Sequence, residues 1–217
     1  MPKSPTKRRP LTVAALLDAA QEVFAEQGFG ATSVPEICGR AGLTKGAFYS
    51  NFPDKEALFL ALFDRHNEAT LERVRLVLAE SAGLLVGSDP PRLPGPHDEQ
   101  RQWFLISMEF TLHAIRHPEV AAALAEHEER SRAALADLLA DALAAIDRVP
   151  TIAVDELVRL VVAACEGGDA QTLTEIAATG SARESVRARL VPLLLREYTR
   201  TADESDPSFP GTQGEST

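Results

Sequence analysis

The stretch TKGAFYSNFPDK, residues 44 to 55, gathers side chains suited to binding phosphates and base edges. Thr44 stands where a helix would begin, Lys45 brings a point charge, and Gly46 and Ala47 leave the helix surface bare. Tyr49, Ser50 and Asn51 add hydroxyl and amide groups, and Lys55 opens the next helix with an ammonium that would suit a phosphate. A glycine inside a helix costs about 1 kcal/mol, which makes sense where the backbone must come close to another molecule. Ser33 and Thr44 sit at helix N-termini, whose backbone N–H groups favour anions. Gly46 and Ala47 have little to hydrogen-bond with, so base discrimination should lean on Lys45, methyl contacts and DNA shape.

Positioning these groups requires two short helices and a tight turn. Leu16, Ala19, Ala20, Val23 and Phe24 share one side of a helix over 11–27, ended by Gly28 and Gly30. Ser33 with Glu36 is a capping box, with Pro35 in the first turn, and it starts a helix that runs to about Ala41 and stops at Gly42. Thr44 caps a third helix ending near Asn51, and Asp54 opens a fourth running to about residue 84. Val34, Ile37, Ala41, Leu43 and Phe48 would pack the short pair together, with Cys38 small enough for close approach. This is the helix-turn-helix arrangement, whose second helix enters the major groove.

The segment 88–97, SDPPRLPGPH, is a loop by its Pro and Gly content. Helices are expected over 98–116, 118–147, 153–178 and 182–201, the last with a capping box of Ser181 and Glu184 and a kink at Pro192. Strand signals are weak, so the fold class is all-α. The expected organisation is a basic flexible arm over 1–10 and a helix-turn-helix DNA-binding domain over 11–56, its motif at about 33–52. A helical ligand-binding and dimerisation domain over 57–201 and a disordered tail over 202–217 complete it.

Residues 11 to 63 resemble the N-terminal domain of the TetR/AcrR family of transcriptional regulators, through AAQEVFAEQGF, ATSVPEI, RAGLTKGAFY and NFPDKEAL. The resemblance implies that Lys45, Gly46 and Ala47 face bases and that Tyr49 donates to a phosphate. It also implies that Ser50 and Asn51 lie close to backbone or base edges and that Lys55 pairs with another phosphate. It further implies a homodimer on a palindromic operator, with the last two helices forming a bundle with their partner copies. Two stripes suit that role: Leu157, Leu160, Val161 and Ala164, then Val186, Leu190, Leu193 and Leu194. Gly167-Gly168 either lets a partner helix approach or breaks the helix beside a pocket.

Charge is uneven. The chain of 217 residues has a net charge of −10, yet residues 1 to 55 carry seven basic groups against five acidic, which leaves −12 for the remainder. Such a polarity suits DNA binding confined to one end, and the arm PKSPTKRRP is able to reach a minor groove. Cys38 and Cys165 lie far apart and imply no disulfide framework. No apolar run is long enough for a membrane span and no secretory signal is evident, so a cytoplasmic protein is expected.

For a sensor, the window WFLISMEFTLHAIRH, 103–117, supplies Trp103, Met108, Glu109, Phe110 and His113, opposite Leu62, Phe63 and His66 on the fourth helix. Apolar walls with a few polar groups suit a small organic effector, although an apolar stripe at helical spacing is also what plain core looks like. Glu109, His113 and His117 have a spacing that a metal could use, but His117 precedes Pro118 and no cysteine is near, so no metal and no cofactor is expected. Enzyme motifs are lacking. The expected function is a ligand-responsive DNA-binding regulator, most simply a repressor. The alternatives are an activator, or a helical protein-interaction module with a vestigial helix-turn-helix.

Overall fold

The computed structural model describes residues 8–81, 97–181 and 186–203. Expectations for the arm before Arg8, the loop 88–96, Glu184 in its capping box and the tail after Asp203 fall outside these residues. Among those described, no helix is long and apolar enough to cross a membrane.

Helix α1, Arg8–Ala31, buries Leu16, Ala19, Ala20, Val23 and Phe24. Its regular course breaks at Gly28, where φ is +83° and ψ 161°, a conformation that L side chains rarely adopt. The chain then makes one more turn to Ala31 before α2, Val34–Arg40. There Glu36 accepts hydrogen bonds from the Ser33 amide at 2.8 Å and the Ser33 hydroxyl at 2.7 Å. Gly42, at φ +65°, makes the turn into α3, Lys45–Tyr49, which begins with the Ala47 amide donating to Thr44 Oγ1 at 3.2 Å. Helix α4, Lys55–Ser81, starts with the Ala57 amide on Asp54 Oδ1 at 2.7 Å.

Helices α5, His97–Arg116, and α6, Pro118–Ala144, meet at His117. Two short strands follow, the second of them where helix was expected: β1, Arg148–Pro150, pairs antiparallel with β2, Thr199–Thr201, joining Arg148 to Thr201. Helix is thus replaced at 199–201 and stops short of 147. Pro150 cannot continue a helix and threonines favour extended backbone. The Arg148 guanidinium fixes the pair by donating to Thr199 Oγ1 and to the Thr199 carbonyl.

Between the strands run α7, Val154–Thr179, and α8, Val186–Glu197. Gly167-Gly168 does not break α7. A Cβ on Gly168 would lie 2.8 Å from the Arg187 amide, so this glycine admits α8 of the same chain rather than a partner's helix. Helix α8 continues through the buried Pro192.

One buried cluster joins α1, α2 and α3 to the rest. It runs from Leu16 and Phe24 through Ile37, Cys38 and Phe48 to Phe59 and Leu62 of α4, Ile106, Phe110 and Ala114 of α5, and Leu124 of α6. Helices α1 to α3 are called the head below, and α5 to α8 the body.

Candidate nucleic-acid interface

Helix α3 is anchored by one side and bare on the other. Phe48 is fully buried, its ring 6.0 Å from Phe52. Thr44, Lys45, Gly46, Tyr49 and Ser50 are exposed, and Ala47 is half-buried. Tyr49 is 58% exposed and meets Phe48 edge-on at 5.2 Å, so its hydroxyl end points away from the core that holds its ring. A Cβ on Gly46 would make only ordinary contact, 3.7 Å from Thr44 Oγ1. The fold itself therefore does not demand a glycine there.

Hydrogen bonds divide the expected contacts. Ser50 Oγ donates to the Gly46 carbonyl at 2.7 Å, leaving its lone pairs open. Ser33 is half-buried with its hydroxyl proton on Glu36. Asn51 Nδ2 donates to the Ala47 carbonyl at 2.8 Å and its Oδ1 accepts from Arg9 Nε at 3.3 Å. Its amide closes α3 and holds Arg9 beside it.

Lys55 is engaged within the chain. Its Nζ donates to the Phe29 carbonyl at 2.6 Å and the Thr32 carbonyl at 2.8 Å, and lies 4.3 Å from the centre of the Phe29 ring. Burial holds its pKa below the ordinary lysine value, against the opposing charges of Glu56 and Glu36. The ammonium braces the head by holding these two carbonyls. Its position at the start of α4 made it look exposed, and nothing in its neighbours' types signalled the two carbonyls. Arg40 is likewise engaged, bridging Glu22 at 3.0 Å and Glu26 at 2.6 Å across α1 and α2.

The body meets the head at residues 28–32. The Phe29 amide donates to Glu109 Oε2 of α5 at 2.7 Å, and a Cβ on Gly28 would collide with that carboxylate. Thr32, buried, donates its hydroxyl to the Gly28 carbonyl at 2.7 Å. The Phe29 ring meets Phe110 edge-on at 4.9 Å and His113 at 5.1 Å. His113 Nε2 lies 3.2 Å from Glu56 Oε1. Glu109 and His113, expected in a pocket, are therefore joint residues between α5 and the head. Phe110 and Leu62 are fully buried members of the shared cluster.

Three of the remaining pocket candidates come together. Trp103 stacks on His66 at 3.8 Å and lies 6.1 Å from Phe63. Burial pushes the His66 pKa down to about 4, with the Arg73 charge acting in the same direction. Met108 is half-buried apart from that trio. His117 Nδ1 is 2.7 Å from the His113 carbonyl, and among the described residues no group of three or more ligands could hold a metal.

Of the two apolar stripes, Leu157 is fully buried inside the chain and is removed from any partner surface. Leu160, Val161, Ala164, Val186 and Leu194 are half-buried, while Leu190 and Leu193 are exposed. Burial raises the thiol pKa of both cysteines, that of Cys165 to about 11, so neither is a ready thiolate.

A tri-helical head with an open second helix of a helix-turn-helix, fused through a long helix to an α-helical body, defines the class of one-component DNA-binding regulators. Residues 16–62 match the family described as "Bacterial regulatory proteins, tetR family". It is 41% identical over 63 residues to the transcriptional activator FasR of Mycolicibacterium smegmatis, a match covering 29% of each chain. It is 29% identical over 124 residues to the transcriptional repressor Rv1474c of Mycobacterium tuberculosis, covering 57% of this chain and 62% of that one. The chain thus spans less than two thirds of the length of these relatives. They are transcriptional regulators, not enzymes. Salmonella enterica GusR shares the fold at a TM-score of 0.59, with 22% identity over 85% of this chain and 94% of its own.

Proposed function

We propose that the protein is a homodimeric repressor that binds a palindromic operator and is released by a small, largely apolar organic molecule. The observation that carries this reading is the bare outer surface of α3, where Gly46 is unneeded by the fold and Tyr49 is held outward. Lys45, Gly46 and Ala47 would approach bases. Thr44, Tyr49, Ser50 and Arg9 would contact the backbone, which positions a protein without reading sequence. Leu190 and Leu193, the exposed large apolar residues of α8, would meet their copies in a dimer. The aromatic group of Phe63, His66 and Trp103 supports an effector with flat or apolar parts. Its binding would favour a body conformation in which α4 holds the two heads at a different separation. A coupling of about 1–3 kcal/mol is typical of such systems.

The test is selection of binding sites from a random duplex library by the purified protein. A palindrome with half-sites about one helical turn apart supports the reading, and reporter expression from that site in cells with and without the protein gives the sign of regulation. If a folded dimer selects nothing, the reading fails and the acidic body becomes the better guide, toward a protein-interaction module.

A further inference from the structure

We propose that the segment Phe29–Thr32, the last turn of α1 and the residue after it, is a second joint through which the body sets the recognition helix, and that Glu109 is its positioning residue. This inference rests on the DNA-binding reading above and adds a route that bypasses the long connector.

Phe29 is held at three points, its amide, its carbonyl and its ring, by residues of α1, α4 and α5. Its amide is held by Glu109 of α5, its carbonyl by Lys55 of α4, and its ring by Phe24, Phe59, Phe110 and His113. The next fixed points follow within a few residues. Thr32 returns its hydroxyl to Gly28, and its carbonyl shares the Lys55 ammonium. Ser33 then begins α2, which carries α3 through Gly42. A movement of α5 relative to α4 therefore acts on the segment from one side while Lys55 holds the other, and it has only Thr32 to pass before it reaches the helix pair.

Glu109 is the only one of these contacts that the body makes by a charged hydrogen bond, a type worth more than a neutral one. It also accounts for Gly28 twice over. The backbone there has positive φ, and the space a Cβ would fill is taken by the carboxylate. A polar bond that a glycine must make room for, on an exposed carboxylate, is a strange way to stabilise a core. It is a sensible way to register one helix against another.

The sign of the effect decides the matter. Glu109 belongs to an acidic body, so removing its charge should strengthen duplex binding if only long-range electrostatics act. Loss of positioning weakens it. The experiment measures affinity of the full-length protein for a mixed-sequence duplex across a salt series, in the wild type, Glu109→Ala, Glu109→Gln and Glu119→Ala. Glu119, exposed on α6, controls for the loss of a body charge. Hydrogen exchange at the Phe29 amide and the melting temperature are read on the same samples. Because Glu109 is exposed, water can replace it at the amide, and Glu109→Gln keeps an acceptor in place.

The expected result is affinity lowered about fivefold or more in Glu109→Ala, less in Glu109→Gln, and not lowered in Glu119→Ala. The salt slope should stay as in the wild type because no phosphate contact is lost, while Phe29 exchange quickens. Affinity equal to or above wild type in Glu109→Ala, with Phe29 exchange quickened, overturns the proposal and makes the bond purely structural. A wild-type protein without salt-dependent duplex binding sinks the functional reading itself, and this inference with it.

Discussion

Two stretches of the head, 28–32 and 44–50, are built from similar small and polar residues yet are wired in opposite ways. In the first, the Gly28 carbonyl, both polar groups of Phe29 and the Thr32 carbonyl each find a partner on a side chain. In the second, the hydrogen bonds close within the helix itself, Thr44 to Ala47 and Ser50 to Gly46, and the side chains of Lys45 and Tyr49 face outward. The lesson is that glycine and small polar residues do not mark function by themselves. What separates the two is whether neighbours on other elements claim their polar groups.

The comparison makes graded predictions. Changes in the first stretch should cost stability, and changes in the second should cost only binding. Phe29→Ala removes a fully buried ring at the centre of the aromatic group and should destabilise by about 3–5 kcal/mol in urea unfolding. A loss under about 1 kcal/mol would mean the joint tolerates rearrangement. Lys55→Met should come next, at about 1–3 kcal/mol, because it leaves two carbonyls without their donor. If it instead left the midpoint unchanged and lowered the salt slope of DNA binding, Lys55 would be a phosphate contact and the contrast would break at that point.

His66 sharpens the picture within the body. Its folded pKa of about 4 lies below the ordinary 6.5, so below about pH 6.5 the unfolded chain takes up a proton that the folded chain refuses. Its contribution is therefore complete above pH 6.5 and is lost as pH falls toward 4. His66→Phe, which preserves stacking on Trp103, should show a smaller drop in urea midpoint between about pH 7 and about pH 5 than the wild type. Equal drops would place the acid sensitivity elsewhere. The smallest effect on stability belongs to Tyr49→Phe, whose melting temperature should match the wild type while duplex affinity declines. A fall in melting temperature would mean that the hydroxyl has a folding role.

Much of the head could be read from residue types because its determinants are local. Ser33 with Glu36, Thr44 and Gly42 fix helix ends by hydrogen bonds and dihedrals that span a few residues, so their positions in the chain announce them. The long-range bonds of Lys55 and Asn51 were not legible, for the opposite reason. Their partners, Phe29 and Thr32 in one case and Arg9 in the other, lie 23 to 42 residues away, and no pattern of types encodes such a distance. Glu109 and His113 were placed correctly on α5, opposite the fourth helix, but periodicity could not say that α1 also meets them. The ribbon escaped notice because three-residue strands carry no period to detect.

That ribbon has a further consequence. Strands β1 and β2 bring the residues before α7 and after α8 side by side. Adjacent strands lie about 4.8 Å apart, so the helical hairpin leaves and returns to the body at one place. A segment whose ends are clasped to each other can be exchanged as a cassette between related chains without rerouting what precedes it. Since Leu190 and Leu193 ride on it, such an exchange would replace the surface of the proposed dimer while leaving α3 as it is.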